Sequence, residues 1–147
     1  IQTPGHTEGS VCFLVNKKFL LTGDTLFLEG AGRPDLGKNS DEIKESAGKL
    51  FSSLKRIKDL DENTIILPAH FSDYSKIPIC NELGILERNN SALKINDEST
   101  FVDYILHNLP KTPPNYEQIK KMNSNLMRVP LQMGEQLEFG PNRCVSG

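Results

Sequence analysis

The sequence lacks several features that mark common classes of protein. It has no excess of positive charge, because 17 lysine and arginine residues stand against 19 aspartate and glutamate residues and the net charge is −2. Nucleic acid attracts a clustered positive field, so the composition argues against that partner. No apolar stretch approaches the roughly 20 residues that span a bilayer. Internal repeats and low-complexity tracts are also absent. We therefore expect a protein that binds neither nucleic acid nor membrane.

Cysteine is scarce and does not form a pattern. Cys12, Cys80 and Cys144 are an odd number and show no Cys-x-x-Cys spacing. This usage disfavours a disulfide scaffold and is typical of a reduced, intracellular protein. We expect a cytoplasmic location, and the first residue, Ile1, leaves an upstream targeting segment open.

A β-hairpin is predicted near the start of the chain. The apolar runs Val11–Val15 and Phe19–Leu21 are joined by the short polar segment Asn16–Lys18. A hairpin returns its two ends to one edge of a sheet. We therefore expect His6, just before the first run, and Asp24, just after the second, at the same edge. An imidazole and a carboxylate on such loops suit a zinc or non-haem iron site.

A third candidate ligand follows a later strand. Thr64–Leu67 is a β-branched run that ends at Pro68-Ala69-His70. If this strand joins the same sheet, His70 also lies at a strand end. A single histidine in such a place is more often structural. Together, however, His6, Asp24 and His70 predict a site for one or two metal ions.

Other elements follow from periodicity and capping residues. Asn39 is a candidate N-cap, and apolar residues recur at helical spacing from Ile43 to Ile57. We predict this helix, a short strand at Leu83–Leu86, a helix after Asp97, a last helix with Tyr116, Ile119 and Asn123 on one face, and a tail of little periodicity from residue 129 to residue 147.

Two side chains are candidates for substrate contact. Arg33 is the one cation in the glycine-rich segment Gly30–Gly37, which could form a wall of the substrate site. Its guanidinium could bind the carboxylate of a thiol cofactor, or could pair with Asp35 to shape the turn. Tyr74 could donate a hydrogen bond to a bound oxygen species, or could simply pack.

The metal motifs resemble those of a known family. In order and spacing, three segments resemble the later metal motifs of the metallo-β-lactamase superfamily: Thr3–Ser10, Leu21–Phe27 and Leu67–His70. Gly23–Leu36 is similar to the glyoxalase II-like branch. Its Gly-Arg-Pro-Asp-Leu ending looks more like the persulfide dioxygenases than the thioester hydrolases, as do Pro113–Tyr116 and Gly140–Cys144.

The resemblance implies an α/β (α+β) fold, the C-terminal half of an αββα metallo-β-lactamase sandwich. The family's His-x-His-x-Asp-His signature, which supplies the first half of the metal site, is absent. We therefore expect residues 1–147 to be the C-terminal part of one such domain, with 129–147 as its tail. Its partner would be the missing N-terminal half of the same domain, and this piece alone would be inactive. Without that half, an apolar face around Val11, Phe13 and Ile66 should lie open.

The resemblance also implies an activity. Persulfide dioxygenases hold one ferrous ion with two histidines and an aspartate, and their products are sulfite and the free thiol. If this arrangement holds here, His6 and Asp24 would be two of the iron ligands and an upstream histidine would be the third. His70 would lie beside the iron without binding it. Asp24 and Tyr74 would then be catalytic residues, and Arg33 would bind the low-molecular-weight thiol persulfide.

Two alternatives stay open. In a dizinc thioester hydrolase of the glyoxalase II type, Asp24 would bridge two Zn²⁺ ions and His70 would bind the second. A non-catalytic binding protein could also keep the fold, although the intact His6, Asp24 and His70 weigh against it. The sequence leaves open the thiol carrier, a homodimer and a sulfurtransferase domain after Gly147.

Overall fold

The structure, a computed structural model, describes residues 1–70, 79–112, 115–138 and 145–146. The chain divides into two compact units. The first comprises Ile1–Pro110 together with Cys144–Gly147, and the second comprises Lys111–Arg143. All of the candidate metal ligands lie in the first unit.

The predicted hairpin is confirmed. Strand β1 (Phe13–Val15) pairs antiparallel with β2 (Phe19–Gly23). Asn16 and Lys17 both have positive φ, near 51° and 53°, and the Lys18 N–H donates to the Val15 carbonyl at 3.0 Å. Two consecutive residues of positive φ give a turn whose twist matches that of the flanking strands. The hairpin thus brings the chain before β1 and the chain after β2 to one edge.

Strand β3 (Ala31–Gly32) lies in the segment after Asp24 and pairs with β6 (Val145–Ser146) in a separate two-stranded sheet.

The strand predicted at Thr64–Leu67 joins the same sheet as the hairpin. Strand β4 (Ile65–Pro68) runs parallel to β2. Because parallel strands end at the same edge, the residues after β2 and β4 come together.

A short strand completes the main sheet. Strand β5 (Asn81–Glu82) pairs antiparallel with β4, so the order of the sheet is β1-β2-β4-β5. The connection from β2 to β4 contains a long helix, as a crossover between parallel strands requires.

That helix, α1 (Ser40–Lys58), begins at the predicted cap. The Asn39 side chain accepts from the Asp41 and Glu42 N–H groups, and the Glu42 carboxylate accepts from the Asn39 N–H, which forms a full capping box. The buried side of α1 carries Ala47, Leu50, Leu54 and Ile57 among other residues. This side and the buried face of the sheet form one hydrophobic core.

Two further helices complete the core. Helix α2 (Leu83–Asn89) follows β5, and helix α3 (Glu98–His107) begins after the predicted cap Asp97. The rings of Phe51 and Phe101 lie 5.4 Å apart where α1 meets α3. Our strand at Leu83–Leu86 was wrong, because Leu83 and Leu86 are three residues apart and both turn into the core from one side of a helix.

The second unit contains the last two helices. Helix α4 (Tyr116–Asn123) confirms the predicted helix, but it is not the last one, because helix α5 (Leu131–Glu138) follows it. The segment 129–147, which we predicted as a tail of little periodicity, contains α5 and β6. Of the described residues of α5, only Leu137 is buried. A helix that buries so little needs no regular apolar stripe, so the sequence showed no helical periodicity there. Among the described residues, no helix is long and apolar enough to cross a membrane.

One face of the hairpin is apolar and open. Phe13 is 64% exposed, and Val11, Val15, Phe19 and Leu21 are exposed as well, whereas the alternate residues Cys12 and Leu20 are fully buried. The expectation of an open face is met at Val11 and Phe13. It was wrong for Ile66, which is fully buried because it points to the other face, toward α1.

Candidate functional site

The structure brings His6, Asp24 and His70 together at the edge where β2 and β4 end. The His6 Nε2 atom lies 3.6 Å from Asp24 Oδ2, and the His70 Nε2 atom lies 3.3 Å from Asp24 Oδ1. The His6 side chain is 14% exposed, Asp24 28% and His70 37%. The carboxylate therefore stands between two imidazoles, with the site open to solvent on the His70 side. Their role as ligands stays a prediction.

The second ring nitrogen of His6 fixes how the imidazole is turned. His6 Nδ1 lies 2.8 Å from the main-chain carbonyl oxygen of Arg33. A carbonyl oxygen only accepts, so Nδ1 carries the hydrogen and donates it. In a neutral imidazole Nε2 then has the free lone pair, and Nε2 is the atom that faces Asp24. Histidines that bind metals are commonly held in this way.

Asp24 has an oxygen that the described residues leave without a hydrogen bond. Its Oδ1 atom is buried and accepts no hydrogen bond from the described part of the chain, although the His70 Nε2 atom is 3.3 Å away. The short distance without hydrogen-bond geometry means that the two atoms are close but not bonded. A buried carboxylate oxygen without a donor is costly, and a cation would remove that cost.

Gly32 allows the β3 segment to pass directly behind the site. A Cβ atom on Gly32 would overlap the Asp24 carbonyl oxygen and lie 3.2 Å from the His6 Cβ atom. The Gly32 N–H donates to the Thr25 carbonyl at 3.1 Å, which holds the segment in that position. Only glycine fits between the two candidate ligands.

The loop that carries His6 rests on helix α1. Gly5 has a φ of 144°, and a Cβ atom there would lie 2.5 Å from the Leu50 Cβ atom, so the backbone of the loop touches the helix. The Ser53 hydroxyl donates to the Pro4 carbonyl at 2.8 Å. Helix α1 therefore positions His6 as well as covering the sheet.

Lys38 adds a polar tie to the same loop. Its ammonium group lies 2.7 Å from Ser46 Oγ and 3.5 Å from the carbonyl oxygen of Gly5. Burial is the largest cause that lowers the pKa of Lys38 from its ordinary value, and the carboxylate of Glu8 opposes that shift. Lys38 thus links α1 to the residue before His6.

A buried polar cluster lies beneath Asp24. The Thr3 hydroxyl is 3.0 Å from the Thr25 hydroxyl and 3.4 Å from the Cys12 sulfur, and the Thr22 hydroxyl donates to the Leu26 carbonyl at 2.7 Å. Burial raises the pKa of the Cys12 thiol. Cys12 is fully buried in the core. These bonds tie Thr25, the residue after Asp24, to Thr3, and tie Thr22 to Leu26 across the turn.

Asn90 is a site residue that the sequence analysis missed. Its amide Nδ2 donates to the carbonyls of Phe27 and Gly30, at 3.0 and 3.1 Å, and its Oδ1 accepts from the N–H groups of Ala92 and Leu93. Asn90 is fully buried and holds the turn that follows Asp24. Its partners are about 60 residues away in the chain, so no local pattern could have revealed it.

Arg33 is not exposed to solvent. Its side chain is fully buried, Nε donates to Asp35 Oδ1 at 2.8 Å, and a terminal nitrogen donates to Asp35 Oδ2 at 2.7 Å. Of the two interpretations of Arg33, the geometry gives the local pair with Asp35. A contact between Arg33 and substrate stays a prediction.

The described residues do not include every candidate for the site, and they do not form a complete metal site. Tyr74, our candidate hydrogen-bond donor, lies outside the described residues. Within the described ranges, no group of three or more His, Cys, Asp and Glu side chains is arranged to hold a metal ion by itself. The cluster of His6, Asp24 and His70 is therefore an incomplete site on its own. The third histidine of the chain, His107, is exposed on α3.

Comparison with known proteins identifies related chains. Residues 1–70 match the model of the metallo-beta-lactamase superfamily. A hydroxyacylglutathione hydrolase of Shewanella pealeana (strain ATCC 700345 / ANG-SQ1) is 32% identical over 130 residues, which are 84% of this chain and 42% of that protein. An uncharacterised protein of Mycobacterium leprae (strain TN) is 44% identical over 72 residues, which are 46% of this chain and 30% of that protein.

A solved structure has a similar fold. The 2.1 Å crystal structure of a metallo-beta-lactamase from Staphylococcus aureus subsp. aureus COL matches with a TM-score of 0.75 and 31% identity, over 88% of this chain and 40% of that one. This chain thus spans about two-fifths of the length of the hydrolase and of the crystallised protein.

Proposed function

Because the family model, the relatives and the fold support membership of the metallo-beta-lactamase superfamily, we propose that this chain carries part of the active site of a metal-dependent enzyme. Members of this superfamily are metal-dependent hydrolases or related enzymes. The three residues that the structure brings together, His6, Asp24 and His70, are the proposed site.

The donor atoms fit an iron or zinc ion. Imidazole nitrogen and carboxylate oxygen are ligands of both Fe²⁺ and Zn²⁺. His6 presents the nitrogen without hydrogen toward Asp24, and Asp24 has a buried oxygen without a hydrogen bond from the described residues. His6, Asp24 and His70 do not form a complete metal site among the described residues. We therefore propose that the remaining ligands come from a further segment, the N-terminal half of the domain.

We propose that the reaction is the oxidation of a low-molecular-weight thiol persulfide to sulfite and thiol. The observation that carries this choice is the Gly-Arg-Pro-Asp-Leu segment after Asp24, which resembles the persulfide dioxygenases and whose arginine, Arg33, accepts a hydrogen bond from His6 through its carbonyl oxygen. The terminal sulfur gives four electrons to dioxygen. Both oxygen atoms of dioxygen and one from water enter sulfite, and the thiol leaves with a proton.

The residues of this chain have defined roles in that proposal. A ferrous ion held by His6 and Asp24 would supply binding positions for the persulfide sulfur and for dioxygen. His6 supplies a neutral nitrogen ligand whose direction the Arg33 carbonyl sets. Asp24 supplies negative charge, and His70, the most exposed of the three, borders the side through which a small substrate enters.

A dizinc thioester hydrolase is the second candidate. The relative named hydroxyacylglutathione hydrolase favours it. In that case His70 binds a second metal ion rather than lying beside the first, and its distance of 3.3 Å from Asp24 Oδ1 suits either role.

We also propose a location and partners. The net charge of −2 and the odd number of cysteines without Cys-x-x-Cys spacing favour a cytoplasmic protein without a nucleic-acid or membrane partner. The open apolar face of the hairpin, which includes Phe13 and Leu21, favours a second sheet as its cover. A homodimer is a further possible assembly.

The decisive experiment compares two variants in the full-length protein. Asp24→Ala should reduce activity at least about 100-fold, because it removes a charged ligand. His70→Ala should reduce persulfide oxidation much less, because His70 is not proposed to hold the iron. His107→Ala, at an exposed histidine of α3, is the matched control. Oxygen uptake with glutathione persulfide, hydrolysis of a glutathione thioester, and metal content are measured for each.

The outcomes separate the candidates. One iron per chain and oxygen uptake that survives in His70→Ala support the dioxygenase. Two zinc ions, and thioester hydrolysis without oxygen uptake that both variants lose equally, would replace the proposal with the hydrolase. No bound metal in the full-length protein would refute an enzyme of either kind.

A further inference from the structure

The pair of Arg33 and Asp35 has a geometry that points to a task beyond shaping a turn. The two side chains meet through parallel bonds of 2.8 and 2.7 Å, and the guanidinium has no solvent exposure. Bidentate pairing with a carboxylate is the strongest and most directional contact that a guanidinium makes. The Arg33 side chain is thereby held in one orientation.

The same residue contacts His6 through its main chain. The Arg33 carbonyl oxygen accepts from His6 Nδ1 at 2.8 Å, which leaves His6 Nε2 free to face Asp24. A histidine ligand can use its lone pair only if its other nitrogen carries the hydrogen. The position of one carbonyl oxygen thus decides which nitrogen of His6 is available.

That carbonyl is fixed from both sides along the chain. On the N-terminal side, Gly32 is held between Asp24 and His6 and is bonded to the Thr25 carbonyl. On the C-terminal side, Pro34 restricts the backbone, and Asp35 holds the Arg33 side chain. We expect these constraints together to fix the orientation of the peptide group that carries the carbonyl oxygen.

We propose that Arg33 is a positioning residue for His6. The ion pair with Asp35 locks the Arg33 peptide so that its carbonyl keeps the hydrogen of His6 on Nδ1 and directs Nε2 to the metal position. The proposal rests on the proposed role of His6 as a ligand, but it is independent of whether the reaction is an oxidation or a hydrolysis.

The first test needs no variant. Long-range ¹H–¹⁵N spectra of the full chain, metal-free at about pH 8.5 where free imidazole is neutral, report which nitrogen of each histidine carries the hydrogen. His6→Gln identifies the His6 signals. We expect His6 to carry the hydrogen on Nδ1, whereas free imidazole side chains favour Nε2. A hydrogen on Nε2 of His6 would overturn the proposal.

The second test breaks the pair while keeping its shape. Asp35→Asn removes the carboxylate, and Arg33→Lys keeps the charge but loses the two parallel bonds. In both variants we expect the His6 signals to move toward a mixture of tautomers. In the full-length protein we expect affinity for Co²⁺ or Zn²⁺ to fall about 10- to 100-fold. Glu45→Gln, which breaks the exposed Lys49–Glu45 pair, is the control and should change neither quantity.

Circular dichroism keeps the result interpretable. A folded Asp35→Asn variant that retains the Nδ1 hydrogen and the wild-type metal affinity would show that the pair is merely structural. If Asp35→Asn does not fold, the His6 tautomer in the wild type and in Arg33→Lys still decides whether Arg33 positions His6. A failure of the dioxygenase assay together with an Nδ1 hydrogen on His6 would refute the proposed reaction and leave the positioning role intact.

Discussion

At the scale of single residues, Gly32 determines how closely the two candidate ligands approach. A Cβ atom at this position would overlap the Asp24 carbonyl oxygen and crowd the His6 Cβ atom. The sequence analysis placed Gly32 in a loop with a possible role as a substrate wall. It could not foresee this contact, because the loop proves to be a short strand packed behind the site.

We predict that Gly32→Ala disrupts the site. The added methyl group must push Asp24 or His6 aside, and a displacement of about 1 Å can reduce activity about 100-fold. Overpacking at such a position also lowers the free energy of unfolding by about 1 to 3 kcal/mol. Metal affinity and thermal unfolding of the full-length protein measure the two effects.

Gly9 provides the matched control for that substitution. A Cβ atom there has no neighbour within 4 Å, so Gly9→Ala should behave like the wild type. Equal metal affinity in Gly32→Ala and Gly9→Ala would show that the close approach of the β3 segment has no bearing on the site.

At the scale of secondary-structure elements, the sequence predicted what local patterns determine. The hairpin, the cap of α1 at Asn39 and the cap of α3 at Asp97 follow from neighbouring residues, and the structure confirms them. Helix α2 was missed because Leu83 and Leu86 suit a buried strand and a helix equally in so short a run. The hydrogen bonds of Asn90 were missed because its partners are distant in the chain.

We predict that the cap of α3 makes stability depend on acid pH. Asp97 accepts from the Thr100 N–H and from the Ser99 hydroxyl, and the latter bond is the main cause that lowers the pKa of Asp97 to about 2 from 3.8. The stabilisation by the charged form is therefore complete above 3.8 and is lost as the pH falls through about 2.

The variant Asp97→Asn isolates this effect. Asparagine also caps helices well, but it does not titrate in this range. Wild type should have the higher unfolding temperature at pH 7, and the difference should shrink as the pH falls toward about 2. A constant difference across that range, measured by circular dichroism, would contradict the assignment.

At the scale of the whole molecule, the open face of the hairpin is the feature that the resemblance anticipated best. Phe13, Val15 and Leu21 are exposed on one side of the sheet, whereas Cys12, Leu20 and Ile66 are fully buried on the other side. A sheet that is apolar on both faces is normally an inner layer. Ile66 was assigned to the wrong face, because the parallel register of β4 against β2 is set by tertiary contacts that the sequence does not display.

We predict that this face makes the isolated chain associate. Exposed apolar patches of this kind mark contact surfaces. The double substitution Phe13→Thr with Leu21→Thr removes a cross-strand apolar pair but keeps residues that favour strands. It should reduce both self-association, measured by sedimentation, and the binding of an apolar dye.

Leu126→Thr serves as the comparison for the double substitution. Leu126 is 79% exposed in the second unit and lies outside the hairpin, so its replacement should leave association unchanged. If the isolated wild-type chain stays monomeric and binds no dye, the prediction that the apolar face of the hairpin lies uncovered is wrong.

The connection between β2 and β4 has a consequence for the order in which the site forms during folding. His6 and Asp24 are joined by a local hairpin, and hairpins close within about 1 to 10 μs. His70 joins them only after α1 has formed and β4 has paired with β2. The residues that pair in this step are much farther apart in the chain than those of the hairpin, so the step is slower. During synthesis or refolding, we therefore expect His6 and Asp24 to come together before His70 joins them.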